Sequence, residues 1–312
     1  MFWVHGIAGL GDGAERRIGS AHPGWRLSDG SPPAAAAYDV LVAGRPDEET
    51  LDASSRLHTL VVPYAGVPAA TRLLLDLRPR IAVRTLHHTA VPTAELAVAL
   101  TLAAARALLP ADAAMRRGDW TPRFEPPRPT MILAGSTATV VGYGEVGRRV
   151  ARALAALDLD VRAVRASVAE SYDDGPISVH PAREMPQLLA DSRVLVLAVP
   201  ATQETELLIG GPELDLLPRP AVVVNVARAT VIDESALFDR LRDGDLAAGL
   251  DVWWSEAAGD GPRTDVAASR FPFHELPNVV LSPHRGGAFS LPEVREQRLA
   301  HLDRLLTELA GH

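Results

Sequence analysis

Chemistry in this chain is most concentrated where Val140-Val141-Gly142-Tyr143-Gly144-Glu145-Val146-Gly147 leaves an apolar run and enters an amphipathic one. The glycines have the G-x-G-x-x-G spacing of a phosphate-binding turn. Gly142 allows the tight turn, Gly144 lets a pyrophosphate approach the backbone, and Gly147 lets the following helix pack closely on the strand. Tyr143 lies inside the turn, while Glu145 and Val146 open a helix whose first N–H groups have no intrahelical partner and face the anion. Taken alone this pattern also fits a glycine-rich strand-to-helix turn of no chemical use. Its context favours a dinucleotide, because Ala138 to Val141 read as a buried strand and Arg148 to Leu157 carry apolar residues at helical spacing.

The second strand after such a turn decides which dinucleotide is preferred. Folds selective for NAD place an acid at its carboxyl end, about 20 residues past the glycines, to bond the ribose 2′-hydroxyl. This chain has Arg165 there, 18 positions past Gly147, with Ser167 just beyond. Asp158 and Asp160 come before the strand and so sit at its other end. A guanidinium and a hydroxyl suit a 2′-phosphate, so NADP(H) is favoured and NAD(H) is the alternative.

The elements that must hold these residues follow from the rest of the chain. Short β-rich runs at Phe2–Val4, Asp39–Val42, Leu60–Val62 and Ile81–Val83 alternate with helical stretches, which predicts a parallel sheet flanked by helices. A single long Ala/Leu helix is predicted from Pro92 to Leu109, followed by a stiff linker through Pro122, Pro126, Pro127 and Pro129. Six further strands are predicted at Thr137–Val141, Val161–Val164, Val194–Ala198, Ala221–Val226, Leu250–Val252 and Val279–Leu281. Ser290-Leu291-Pro292-Glu293 has the S-x-x-E spacing of a capping box and should start a C-terminal helix. An earlier glycine cluster, Gly9 to Ala14, is read as a βα loop lining a cleft rather than a competing nucleotide turn.

Composition narrows the function classes. At 312 residues the chain has room for two domains, and its 47% hydrophobic and 22% charged content is that of a globular protein. The net charge of −8 disfavours nucleic acid. With no cysteine and every one of the 31 basic residues an arginine, thiolate catalysis, cysteine-ligated metals and Schiff-base chemistry are excluded, and no metal site is expected. Met1–Val4 lacks the basic start of a signal peptide, and Leu96–Leu109 is interrupted by Arg106 and short of a membrane span. A cytoplasmic location without membrane association is the expectation.

Three more segments end predicted strands: Asn225-Val226-Ala227-Arg228, Leu250-Asp251-Val252 and Leu281-Ser282-Pro283-His284. With the glycine turn, Leu133-Ala134-Gly135 and Val199-Pro200-Ala201-Thr202-Gln203-Glu204-Thr205, they resemble the D-isomer-specific 2-hydroxyacid dehydrogenase family, and the likeness spans nearly the whole chain. The resemblance implies an α/β protein of two Rossmann-like domains. The cofactor domain, 92–285, is a doubly wound parallel sheet; the substrate domain, 1–91 plus 286–312, is a smaller flavodoxin-like sheet. A homodimer built through the cofactor domain is implied as well.

The family's chemistry assigns roles at these positions. Arg228 binds the carboxylate of a 2-keto acid and polarises its keto oxygen. His284 is the general acid, and Glu256, five residues beyond Asp251, is the carboxylate beside it. Asp260 and Asp265 are alternatives for that carboxylate. Asp251 contacts the carboxamide side of a nicotinamide, and Val199, Pro200, Thr205, Val226 and Ala227 line the cofactor. Tyr64, Ala65 and Gly66, in the loop Pro63–Val67, bind the substrate carboxylate through backbone N–H groups. His87 and His88 precede the long helix and are given no catalytic role. Trp253 and Trp254 divide between core and site wall. The implied reaction is reduction of glyoxylate- or hydroxypyruvate-like acids. The alternative readings within the resemblance are formate dehydrogenase, where Gln replaces the carboxylate and against which Glu256 argues, and a non-catalytic dinucleotide-sensing protein like the family's corepressors.

Overall fold

The structure, a computed structural model, describes residues 1–7, 10–11, 13–32, 36–255, 264 and 266–311. It divides into two compact units, Met1–Thr89 with Phe289–His312, and Ala90–Ala288. The boundaries read from the sequence, 1–91 with 286–312, differ from these by two and three residues.

The first unit is built on β1 (Trp3–His5), α1 (Ala14–Ala21), β2 (Arg26–Ser28), β3 (Val40–Val42), α2 (Glu48–Asp52), β4 (Thr59–Val62), α3 (Ala69–Asp76) and β5 (Ala82–Thr85). The strands are all parallel, in the order β2-β1-β3-β4-β5. That is the flavodoxin-like order. Alternate residues bury opposite faces, as a covered parallel sheet requires. Val4, Val40 and Val61 meet Ile18 and Leu302 of the C-terminal helix Pro292–Ala310, while Leu41, Leu60 and Val62 meet Leu51 and Leu75.

The second unit begins with α4 (Ala90–Ala105) and α5 (Leu108–Met115). It continues through β6 (Thr137–Val141), α6 (Glu145–Ala155), β7 (Asp160–Val164), β8 (Tyr172–Asp174), β9 (Ile177–His180), α7 (Met185–Ala190) and β10 (Ser192–Leu197). It closes with α8 (Gly211–Leu216), β11 (Ala221–Asn225), α9 (Glu234–Arg242), β12 (Leu246–Leu250) and β13 (Val279–Leu281). The sheet order is β13-β12-β11-β10-β6-β7-β9-β8, parallel except for the β8–β9 hairpin. The chain winds outward from β6 through β7 and β9, then crosses to β10 and winds the other way, which makes β6/β10 the switch point of a doubly wound sheet.

Several elements depart from the sequence-based reading for identifiable reasons. The predicted helix Pro92–Leu109 breaks into α4 and α5, bent by 68°. Pro110 has no N–H and its ring would strike the carbonyl four residues back, so the helix cannot run through, and Ala107 reverses it at φ 46°. The strand expected at Leu250–Val252 lies earlier, because Ala247-Ala248-Gly249 carries no β-branched signal yet is fully paired with β11. A Cβ on Gly249 would lie 2.7 Å from the Leu100 side chain, so this glycine lets α4 sit directly on β12. The hairpin strands β8 and β9 are not among the predicted strands, although Asp174-Gly175, with Gly175 at φ 65°, is a hairpin signal. The short edge strand β2 is not among them either. Ser290 does not cap the C-terminal helix: Leu291 is the N-cap and makes no side-chain cap, with Pro292 in the first turn. Among the described residues no single helix is long and apolar enough to cross a membrane.

Candidate active site

The glycine turn leaves β6 at the switch point of the second sheet, and its three glycines answer to different neighbours. A Cβ on Gly142, whose φ is 102°, would fall 2.5 Å from the Ala198 carbonyl oxygen after β10. On Gly147 it would fall 1.8 Å from the Gly142 carbonyl oxygen. Both glycines are demanded by the protein's own packing. A Cβ on Gly144 would meet nothing within 4 Å. Gly144 is the N-cap of α6 and caps it with no side chain, so the helix start opens onto unfilled space. A bare helix N-terminus beside space kept clear of side chains suits a pyrophosphate.

Tyr143 turns inward. The residue is 2% exposed and its hydroxyl donates to Asp174 Oδ2 at 2.8 Å, so its side chain points away from the turn. Burial first, then the bond to Asp174, pushes the phenol up to about 12. Arg148 lies over the ring at 5.2 Å. Glu145 is exposed and pairs with Arg149 at 3.0 Å, while Val146 packs on the core. At the carboxyl end of β7, Arg165 Nε donates to Ser167 Oγ at 2.9 Å, which sets both residues side by side. Asp160 lies at the opposite end of β7 and pairs with Arg162.

The strands β10 to β13 end on this same edge, and their loops are tied by side chains. Thr205 Oγ1 donates to the Pro200 carbonyl at 2.7 Å and accepts from the Thr202 N–H at 2.8 Å, fixing the turn that presents Val199 and Pro200. Asn225 Nδ2 donates to the Arg228 carbonyl and Asn225 Oδ1 accepts from the Ala227 N–H, both at 3.0 Å. This holds Val226 and Ala227 buried and leaves Arg228 exposed. Among the described residues no carboxylate pairs with Arg228; its guanidinium donates to the Ala227 carbonyl at 2.6 Å.

Asp251 follows β12 and is 2% exposed. Its carboxylate accepts from the Ser282 hydroxyl at 2.5 Å, the Arg285 N–H at 2.9 Å and the Gly286 N–H at 2.8 Å. These donors bracket His284. Bonds to a charged group are worth about 1.5–3 kcal/mol each, so three of them offset the several kcal/mol lost in burying the carboxylate. His284 is exposed at φ 49°, a left-handed conformation that disfavours a side chain by about 1–2 kcal/mol and must be held by its surroundings. The Asp251 clamp supplies that hold. Sequence reasoning places Asp251 against the cofactor and does not reach this structural task, since its partners lie 31 to 35 positions away. Trp253 Nε1 donates to the Ser282 carbonyl at 2.8 Å and bolsters the same loop, while Trp254 stacks on Phe273. Glu256, with the alternatives Asp260 and Asp265, lies outside the described residues, as do Gly9 and Asp12 of the first glycine cluster.

In the first unit, Tyr64, Ala65 and Gly66 follow β4. Tyr64 lies over Gly44, where a Cβ would come within 2.3 Å of its hydroxyl. Ala65 and Gly66 are exposed, and a Cβ on Gly66 would meet nothing within 4 Å.

A doubly wound sheet with a glycine turn at its switch point defines a dinucleotide-binding α/β protein. Residues 98–286 match the family description "D-isomer specific 2-hydroxyacid dehydrogenase, NAD binding domain". The glyoxylate reductase of Thermococcus kodakarensis is 33% identical over 269 residues, covering 81% of this chain and 74% of that protein. The glycerate dehydrogenase of Methylorubrum extorquens is 32% identical over 208 residues, 65% of this chain and 60% of its own. In fold, the D-isomer specific 2-hydroxyacid dehydrogenase of Xanthobacter autotrophicus Py2, solved with NADPH and MES, aligns with a TM-score of 0.75 at 24% identity, covering 100% of this chain and 95% of the other. The chain belongs to the D-isomer specific 2-hydroxyacid dehydrogenase family, and its second unit is the family's nicotinamide dinucleotide-binding domain.

Proposed function

We propose that this protein is an NADP(H)-dependent reductase of small 2-keto acids of the glyoxylate or hydroxypyruvate type, yielding D-2-hydroxy acids. The observation that carries the reading is the set of groups following parallel strands on one edge: the glycine turn after β6, Arg228 after β11 and His284 after β13. The relatives named glyoxylate reductase and glycerate dehydrogenase support this substrate class.

In this reading the second unit holds the dinucleotide and the first holds the substrate carboxylate at the N–H groups of Tyr64, Ala65 and Gly66. The reduced nicotinamide, when bound, supplies hydride to the carbonyl carbon. Arg228 draws electron density toward the keto oxygen and binds the adjacent carboxylate. His284 gives its ring proton to the oxygen as it becomes a hydroxyl, and takes it back in the reverse direction. Glu256 is the carboxylate that this reading assigns beside that ring. Asp251 serves His284 by fixing its loop. Val199, Pro200, Val226 and Ala227 wall the nicotinamide, in a loop that Thr205 shapes.

Arg165 and Ser167 support NADP(H): a cation and a hydroxyl stand where NAD-selective folds have an acid. Exposed Leu108, Leu109, Trp120, Phe124 and Ile132 on the second unit support a homodimer through it. A cytoplasmic location fits an enzyme that draws on a soluble dinucleotide pool.

The test is oxidation of NADPH and of NADH by the purified chain with a panel of 2-keto acids. Turnover with NADPH and a two- or three-carbon keto acid is expected. Tight dinucleotide binding without turnover of any acid would replace the reductase by a dinucleotide sensor, and equal use of NADH would remove the assignment to Arg165.

A further inference from the structure

The first unit carries two buried nitrogen groups for which the reaction above has no use. His88 follows β5 and is 6% exposed, and its Nδ1 has no hydrogen-bond partner. Arg298, on the C-terminal helix, has a buried Nε with no partner, and among the described residues no carboxylate pairs with its guanidinium. Its Nη2 donates to the Leu10 carbonyl. The two belong to one cluster, because the His87 N–H donates to His301 Nδ1 at 3.2 Å, and Arg298, His301 and His87 are the groups that act electrostatically on His88. Burial first, then the Arg298 charge, holds the His88 imidazole down to about 4, so the ring is neutral at pH 7. Burial and then Arg295 also lower the Arg298 guanidinium.

Placement in the fold adds a second argument. Leu10 follows β1, and His87 and His88 follow β5, so the cluster lies on the carboxyl edge of the first sheet. The loop Pro63–Val67 leaves the neighbouring strand β4 on that same edge.

A buried polar nitrogen without a partner destabilises a fold by about 1–3 kcal/mol, and a charged one by more. Two such groups in one cluster call for a partner that the described chain does not provide. A cation is repelled by Arg298, and an apolar group leaves both nitrogens unmet. An oxyanion answers both: one oxygen accepts from Arg298 Nε, another accepts from His88 in the tautomer protonated at Nδ1, and one negative charge balances one guanidinium. We propose that His88 and Arg298 form an oxyanion subsite on the first unit that takes a carboxylate or phosphate group. The group is either a second anionic group carried by the substrate or a free anion.

Thermal unfolding of the intact chain in inorganic phosphate, against chloride of equal ionic strength, tests the subsite independently of the reductase reading. Phosphate at ten times its Kd should raise the Tm of the unaltered protein by about 3 °C. His88→Phe should melt no lower than the unaltered protein and lose the phosphate response. Since a variant can fail to fold, the His88 ring resonances of the unaltered protein are followed by NMR through the same titration, where they should shift and saturate. Resonances and Tm indifferent to phosphate, or a folded His88→Phe that responds as the parent does, would overturn the subsite.

The kinetic arm does rest on the reductase reading and identifies the source of the anion. If the group is the substrate's own, Arg298→Met should lower kcat/KM for oxaloacetate, a 2-keto dicarboxylate, about tenfold more than for glyoxylate. Equal effects on the two acids, with the phosphate response present, support a free anion at the same subsite.

Discussion

The loops that follow β10 to β13 on the second sheet and the carboxyl edge of the first sheet handle their polar groups in opposite ways. On the second sheet, Thr205, Asn225 and Asp251 spend their hydrogen-bonding capacity inside the loops that carry them or their neighbours. Among the described residues, the side chains these loops leave exposed include Arg228 and His284. On the first sheet, the loop after β4 exposes Ala65 and Gly66, while His88 and Arg298 keep buried nitrogens unmatched. An edge that satisfies itself fixes reacting groups in place; an edge with donors left over selects the charge of what it meets.

The largest test of this contrast removes the presented groups. His284→Ala should lower kcat by about 10²–10⁴-fold, and Arg228→Met by about 10²–10³-fold, with little change in Tm because both side chains are exposed. Steady-state NADPH oxidation alongside thermal melts reads both quantities. A His284→Ala enzyme with full activity would end the proposed mechanism.

Removing the brace should instead damage both properties. Asp251→Asn turns one acceptor into an N–H₂ that faces a backbone N–H of Arg285 or Gly286, so stability to urea should fall by about 1–3 kcal/mol. With the His284 loop loosened, kcat should fall while KM for the dinucleotide changes less. A variant as stable as the parent would show that the three bonds do not hold the loop.

The glycine turn contains both behaviours within a few residues. Gly147→Ala forces a carbon against the Gly142 carbonyl and should destabilise the fold by about 1–3 kcal/mol. Gly144→Ala meets nothing in the protein, so its Tm should hold while dinucleotide affinity drops. Calorimetric titration beside a melt separates the two, and equal loss of stability in both variants would refute the distinction.

The smallest expected effect is one of pH. The His88 imidazole titrates at about 4 in the folded chain against the ordinary 6.5 of an exposed histidine, so the unfolded chain binds more protons between those limits. Stability present above pH 6.5 is therefore lost as pH falls toward 4. In urea unfolding at pH 7 and pH 5, His88→Phe should show a smaller drop than the parent, and an equal drop would exclude His88 as a source.

How far the fold could be read from residues depended on what each signal reports. Val-rich runs such as Thr137–Val141 and Ala221–Asn225 announce strands because branched side chains on both faces are what a covered parallel sheet buries. Ala247-Ala248-Gly249 hid a central strand because its small residues answer to Leu100 of a distant helix. The cap expected at Ser290 failed for a similar reason: local spacing permits a capping box, and the chain's entry into the helix at Leu291 decides otherwise. The candidate site divides along the same line. Strand-end positions such as Arg228 and His284 are visible as motifs, whereas the duties of Asp251 and Asp174 arise from partners that only the folded chain brings near.

Tyr143, stowed behind the glycine turn on a hairpin aspartate, has a consequence for how the nucleotide arrives. The loop's shape is set when the chain folds, so its ordering entropy is not drawn from the binding energy of the ligand. Encounter then needs no rearrangement of the turn, and affinity on warming should persist until the β8–β9 hairpin itself melts.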